Sequence, residues 1–211
     1  MKFTIVEAKL PKTFYKDIDG KKVYIVDGNY IRTHLEKEFT NFSQHYEFPN
    51  LIPEGEIWLD KEAAPGEMEE YISHAVTEYD KMAAGASYET AHEKGKKIEK
   101  SRRNKTMLKK DDARIKLWKK LTTSKIKVFI VDGETVRNQF NIDFTEGGHG
   151  YVYNFIPKDE IWIDNDIEPK ERRYILAHEF YEMGLMKNKN IPYDQAHKLA
   201  SRFEKDLRKK S

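Results

Sequence analysis

KVYIVDG (Lys22–Gly28) and KVFIVDG (Lys127–Gly133) are one motif written twice. A second motif behaves alike: NLIPEGEIWLD (Asn50–Asp60) returns as NFIPKDEIWID (Asn154–Asp164). The separations are 127 − 22 = 105 and 164 − 60 = 104 residues. A repeat of fixed period sets the architecture before any single element is assigned. The motifs themselves are rich in β-branched residues and read as strands, the first closed by an Asp-Gly turn. Short helices are expected near Tyr30–Glu38 and Glu134–Asn141, and strands at Glu56–Asp60 and Glu160–Asp164 with Trp58 and Trp162 in the core. Longer helical patterns follow in each half. In the second half, Pro169 is placed to open a helix through ERRYILAHEFYEMGLM, and Pro192 opens another from Tyr193. Mixed rather than alternating elements predict an α+β fold, a tandem duplication in which each half is a small sheet with packed helices. The expected units are 1–105 and 106–211.

Composition narrows the function classes. The 211 residues are 35% charged and 38% hydrophobic, with no cysteine. Disulfides and thiolate ligands are therefore excluded, and any metal must be held by nitrogen and oxygen. No apolar run has the length of a membrane span, and the amino-terminal stretch lacks the apolar region of a signal peptide. No membrane association and a cytoplasmic location are expected. Between Lys94 and Lys127 there are fifteen Lys/Arg and three Asp/Glu, a balance of +12 within a net charge of +2. Ala113, Ile115, Trp118 and Leu121 give this stretch a helical look. It reads as a solvated connector or as a surface for nucleic acid or another polyanion.

The polar residues kept by both halves are the chemical signal. At an offset of 104, His45 pairs with His149, His74 with His178 and Glu78 with Glu182; at 105, His92 pairs with His197. His34 has no counterpart and is read as a solvated helix residue. His178 and Glu182 are four apart on a helical pattern and project from one face. With His197 from the next helix they form two nitrogens and one oxygen, a set suited to zinc with an open fourth position; other divalent transition metals also fit. His74, Glu78 and His92 repeat the set. Glu179 follows His178 directly and is placed to act as a general base. His149, beside Glu146-Gly147-Gly148 in an expected loop, could be a fourth ligand, stabilise an oxyanion or hydrogen-bond the loop. Tyr153, Tyr181 and Tyr193 read as core or rim aromatics. Asp194 and Glu89 read as first-turn helix stabilisers.

At His178-Glu179-Phe180-Tyr181-Glu182 the chain resembles the zincin metallohydrolases, whose active-site helix carries HExxH. Glutamate replaces the second histidine here. The wider pattern of GGH, EIWID, AHEFYE and YDQAH also resembles small uncharacterised proteins of phages and prokaryotes. The first resemblance implies a zinc-dependent, peptidase-like hydrolase. It implies Glu179 as the catalytic base and a peptide as substrate, and His149, from its place beside the glycines, is the second catalytic candidate. The second would put the protein in a host cytoplasm. Ala75 stands where Glu179 stands in the second half. The first repeat is therefore expected to be a copy without a base, and the second the active one. The rival expectation is a non-catalytic, metal-stabilised binding protein that contacts nucleic acid or a protein through Lys94–Lys127. No GxSxG, GxxxxGK[ST] or GxGxxG pattern offers another chemistry.

Overall fold

A computed structural model describes residues 10–63, 65–103, 115–122 and 125–210, with only the backbone described at 118–122. The chain divides into two compact units, Met1–Asn104 and Lys105–Ser211. Each is α+β. The first unit runs β1 (Lys12–Ile18), β2 (Lys21–Val26), α1 (Gly28–His34), β3 (Phe42–Gln44), β4 (Glu56–Asp60), α2 (Met68–Ala83) and α3 (Tyr88–Arg102). The second repeats the order as β5 (Lys116–Thr122), β6 (Lys127–Val131), α4 (Gly133–Gln139), β7 (Gly147–His149), β8 (Glu160–Asp164), α5 (Arg172–Lys189) and α6 (Tyr193–Lys209). The sheets have matching strand orders, β1-β2-β4-β3 and β5-β6-β8-β7. In each, the two motif strands lie parallel at the centre and the flanking strands pair antiparallel.

Strand alternation sorts the core into two faces. On β4, Ile57 and Leu59 pack with Tyr71, Ile72 and Ala75 of α2, while Trp58 turns to Ile31, Phe39 and Ile52. On β8, Ile161 and Ile163 meet Ile175 and Met183 of α5, while Trp162 joins Val136 and Phe144. Both tryptophans are buried, as the sequence predicts, and each indole N–H donates to a glutamate two residues earlier at 2.8 Å. α2 and α5 each pack on the sheet of their own unit, and α3 packs on α2 and α6 on α5.

The Asp-Gly pairs do not close the strands with a turn. Asp27 and Asp132 are helix N-caps, accepting from Tyr30 N (3.0 Å) and Thr135 N (2.9 Å). The glycines are needed for a close approach: a Cβ at Gly28 or Gly133 would overlap the carboxyl of Asp60 or Asp164. Those aspartates hold a buried arginine. Arg32 Nη1 lies 2.7 Å from Asp60 Oδ2 and Nη2 lies 2.5 Å from Glu62; Arg137 pairs in the same way with Asp164 and Asp166. The arginine side chains are about 1% exposed, so these pairs weld α1 and α4 to the ends of β4 and β8.

Three further expectations need correction. Among the described residues the basic stretch is not one helical connector. Lys94–Arg102 belong to α3, and Trp118 and Leu121 lie in strand β5, which Ile115 precedes; Ala113 lies outside the described residues. Several of its charges are engaged within their own unit: Arg103 with Glu67 and Glu99, Lys116 with Glu160, and Lys127 with Asp159. The glycines before His149 form strand β7 rather than a loop. Helix α5 begins at Arg172, with Pro169 in the preceding turn. β1 carries no motif, and its hairpin to β2 turns through Asp19-Gly20, both with positive φ. His34 is exposed, in agreement with its reading. Among the described residues no helix is long and apolar enough to cross a membrane.

Removing one partner of a buried ion pair leaves an uncompensated charge. Arg137→Met should therefore destabilise the second unit, and Arg32→Met the first, by about 3–5 kcal/mol each. Urea unfolding followed unit by unit, with hydrogen exchange as the reporter, would measure this; a loss below about 1 kcal/mol would show the pairs to be incidental.

Candidate metal centre

Helical spacing and a buried scaffold bring the matched residues together. In the second unit His178 and Glu182 project from α5 and His197 from α6. His178 Nε2 lies 3.2 Å from His197 Nδ1 and 3.4 Å from Glu182 Oε2, and His197 Nδ1 lies 2.9 Å from the same carboxylate oxygen. Ligands at zinc bond lengths of about 2.0–2.1 Å on a tetrahedron stand about 3.3 Å apart. The three donor atoms thus already occupy three corners of such a site. The His197 side chain remains 35% exposed.

The orientation of His178 is fixed from behind. Its Nδ1 lies 3.0 Å from Glu204 Oε2, which directs Nε2 toward the other donors. Glu204 is held by Arg208 (2.8 Å), and Arg208 reaches Glu171 at 2.7 Å. A carboxylate behind a histidine fixes its tautomer and raises its basicity as a ligand. The first unit repeats the chain of contacts. His74 Nδ1 lies 2.6 Å from Glu99, Arg103 bridges Glu99 and Glu67, and Glu78 Oε1 lies 3.0 Å from His74 Nε2 and 2.6 Å from His92 Nδ1. Gly95 lets α3 come this close, since a Cβ there would overlap the His74 imidazole.

Charge follows geometry. Burial works against protonated His178, but hydrogen bonds to Glu182 and Glu204 outweigh it and raise its pKa to about 10; His74 rises to about 9 in the same way through Glu78 and Glu99. Burial opposes the charge on Glu182, yet His149, His178 and His197 hold it well below the usual carboxylate range. Glu179 is pushed up to about 7 by burial, against the pull of His178 and His149. A carboxyl titrating near neutrality suits proton transfer at neutral pH.

Glu182 joins two groups. Its Oε2 faces His178 and His197, and its Oε1 lies 3.1 Å from His149 Nε2, off the line of a full hydrogen bond. Glu179 lies on the His149 side, where His149, Glu179 and Glu182 bring ligand atoms within 4.8 Å of one another. His149 Nδ1 accepts from Tyr151 N at 3.2 Å, so the neutral ring carries its proton on Nε2. That tautomer presents a donor rather than a lone pair. Of its three readings, the geometry favours a hydrogen-bond donor over a fourth ligand. Tyr153 is partly buried and donates to Asp143 O, while Tyr181 and Tyr193 sit at the exposed rim.

His45 is not the counterpart of His149. In the ladders, Gln44 pairs with Ile57 as His149 pairs with Ile161. Backbone bonds agree: the amides of Glu47 and Phe48 donate to Gln44 O as those of Val152 and Tyr153 do to His149 O. The offset is therefore 105 through this segment and changes to 104 only before Ile52 and Ile156. His45 is turned away, its Nδ1 2.7 Å from Ile52 O. The sequence also conceals Glu99, Glu204, Arg103 and Arg208, whose clue is a second matched set at offset 105, and Glu47, whose pKa burial raises to about 7 despite a hydrogen bond from Ser43. No family model, curated protein or solved structure matches the chain.

Outer carboxylates of this kind typically support metal affinity by about 10–100-fold. Glu204→Gln should weaken zinc binding at the second unit by that factor, measured by competition with a chromophoric chelator. Unchanged affinity would mean that Glu204 serves only the helix pair.

Proposed function

We propose that the protein is a divalent-metal-dependent hydrolase of peptidase type, with its active centre in the second unit. The observation that carries this reading is the convergence of His178 Nε2, His197 Nδ1 and Glu182 Oε2 at tetrahedral spacing, with Glu204 behind His178. The donor set fits zinc, held by His178, Glu182 and His197. Such an ion supplies Lewis acidity, polarising a scissile carbonyl and acidifying water. Glu179 accepts a proton from the attacking water and returns it to the leaving amine. His149 donates from Nε2 beside Glu182, near the charge that develops on the carbonyl oxygen. Arg208 and Glu204 keep the His178 ring in place throughout. A peptide bond is the substrate that the zincin likeness suggests, and the geometry suits equally the proton traffic of other hydrolyses.

Without metal, the same three distances describe a His–His–Glu cluster sharing a proton, as a purely structural staple would. Elemental analysis of protein purified without added metal separates the two. Zinc at a thousand times its dissociation constant should stabilise the second unit by about 4 kcal/mol, and His178→Ala should remove most of that unit's gain. At saturating zinc, Glu179→Gln should keep the metal and lose about 10²–10⁴-fold in turnover on generic peptide and ester substrates. Wild-type turnover in that variant would dismiss Glu179 as the base, and an unchanged melt on adding zinc and chelator would dismiss the metal. The non-catalytic alternative predicts zinc binding with no turnover on any substrate.

A further inference from the structure

The first unit lacks Glu179, since Ala75 takes its place on α2, yet it does not lack a carboxylate. Once the offset of 105 is applied through β3 and the turn after it, Glu47 is the counterpart of Val152. The two units then differ by a paired exchange. One has Ala75 on the helix and Glu47 on the facing turn; the other has Glu179 on the helix and Val152 on the turn. Glu47 is partly buried, accepts from Ser43 Oγ at 2.5 Å and lies within electrostatic reach of His74, Glu78 and His92. It also lines a pocket with Glu38, Tyr46, Phe48, Met82 and Tyr88, and the Tyr88 ring stacks on His92 at 5.3 Å. The pocket's aromatic and methionine walls keep their type in the second unit as Tyr151, Tyr153, Met186 and Tyr193. Glu47 and Glu179 each lie within electrostatic reach of the two histidines and the glutamate of their own unit's cluster.

We infer that the first unit holds a second, complete divalent-metal site, in which His74, Glu78 and His92 take the ion and Glu47 supplies from the facing turn the carboxylate that Glu179 supplies from the helix. This rests on the metal reading of the second unit given above. It replaces the expectation of a copy without a base. A buried site of two neutral histidines and one carboxylate leaves a divalent cation with one excess positive charge. The Glu67–Arg103–Glu99 chain, net one negative charge, already offsets it from behind His74, and Glu47 adds a further carboxylate within electrostatic reach of the cluster, as Glu179 does in the second unit.

The exchange can be tested in the full chain with zinc as the probe. In a His178→Ala/His197→Ala background, which empties the second unit, one equivalent of zinc should still bind. Adding Glu47→Gln should weaken it by about tenfold or more, and adding Ala75→Glu to that variant should restore it. A role for Glu47 confined to holding Ser43 would not be rescued from the opposite wall. Because Ala75 is fully buried, the mirror experiment guards against misfolding. In a His74→Ala/His92→Ala background, Glu179→Ala should weaken zinc and Val152→Glu should restore it. The assignment is overturned if Glu47→Gln binds zinc like its background, or if neither folded rescue variant recovers affinity. Zinc bound by the second unit but not by the first overturns the second site alone. Zinc bound by neither overturns the proposed function as well.

Discussion

A buried chain of charges fixes each helix pair, and the site depends on it. In the second unit it runs from Glu171, before α5, through Arg208 and Glu204 near the end of α6, to His178 in the middle of α5. Arg208 is the hinge pin. Its guanidinium is 2% exposed and engages two carboxylates, so sliding α6 along α5 by one turn would strand three buried charges. The first unit uses Glu67, Arg103, Glu99 and His74 to the same end. This ionic chain acts on the register of the helices, and with it on the meeting of His197 with His178, alongside the stacking of Tyr181 on Phe203 at 4.8 Å. α6 leaves Leu199 and Phe203 substantially exposed, as a helix positioned partly by polar contacts can.

Much of this was legible in the sequence, and the reasons for the rest are physical. The duplication, the central strands, the tryptophan cores and the His–Glu pairs all rest on local spacing, which backbone geometry translates directly. The partner of His149 was not legible by counting. A single-residue change of offset lies between Phe48 and Ile52, and on a strand a slip of one residue moves a side chain to the other face. Matching histidine to histidine paired His45 with His149, whereas hydrogen-bond register pairs Gln44 with it. Strand β5 was misread for a related reason. Its ladder with β6 shifts register twice, between Lys116 and Trp118 and between Lys119 and Leu121. Each shift breaks the period-two alternation that marks a strand. Apolar residues at 115, 118 and 121 are left with a helix-like spacing of three.

The Asp-Gly pairs show how one dipeptide can carry two meanings. Between strands it is a good hairpin signal, and Asp19-Gly20 uses it so. After β2 and β6 the aspartate caps a helix and the glycine makes room for a carboxyl from a neighbouring strand. Only tertiary structure distinguishes these, because the deciding atom belongs to Asp60 or Asp164, more than thirty residues away.

Each four-stranded sheet draws its strands from one unit, so each unit closes its own hydrogen-bond ladder. A substitution in the sheet of one copy leaves the ladder of the other copy intact. Lineages can then cross intermediate states, such as a copy with both carboxylates or with neither, that a lone protein under selection would have to avoid. The exchange of Glu47 for Glu179 is the kind of two-step move that such shelter permits.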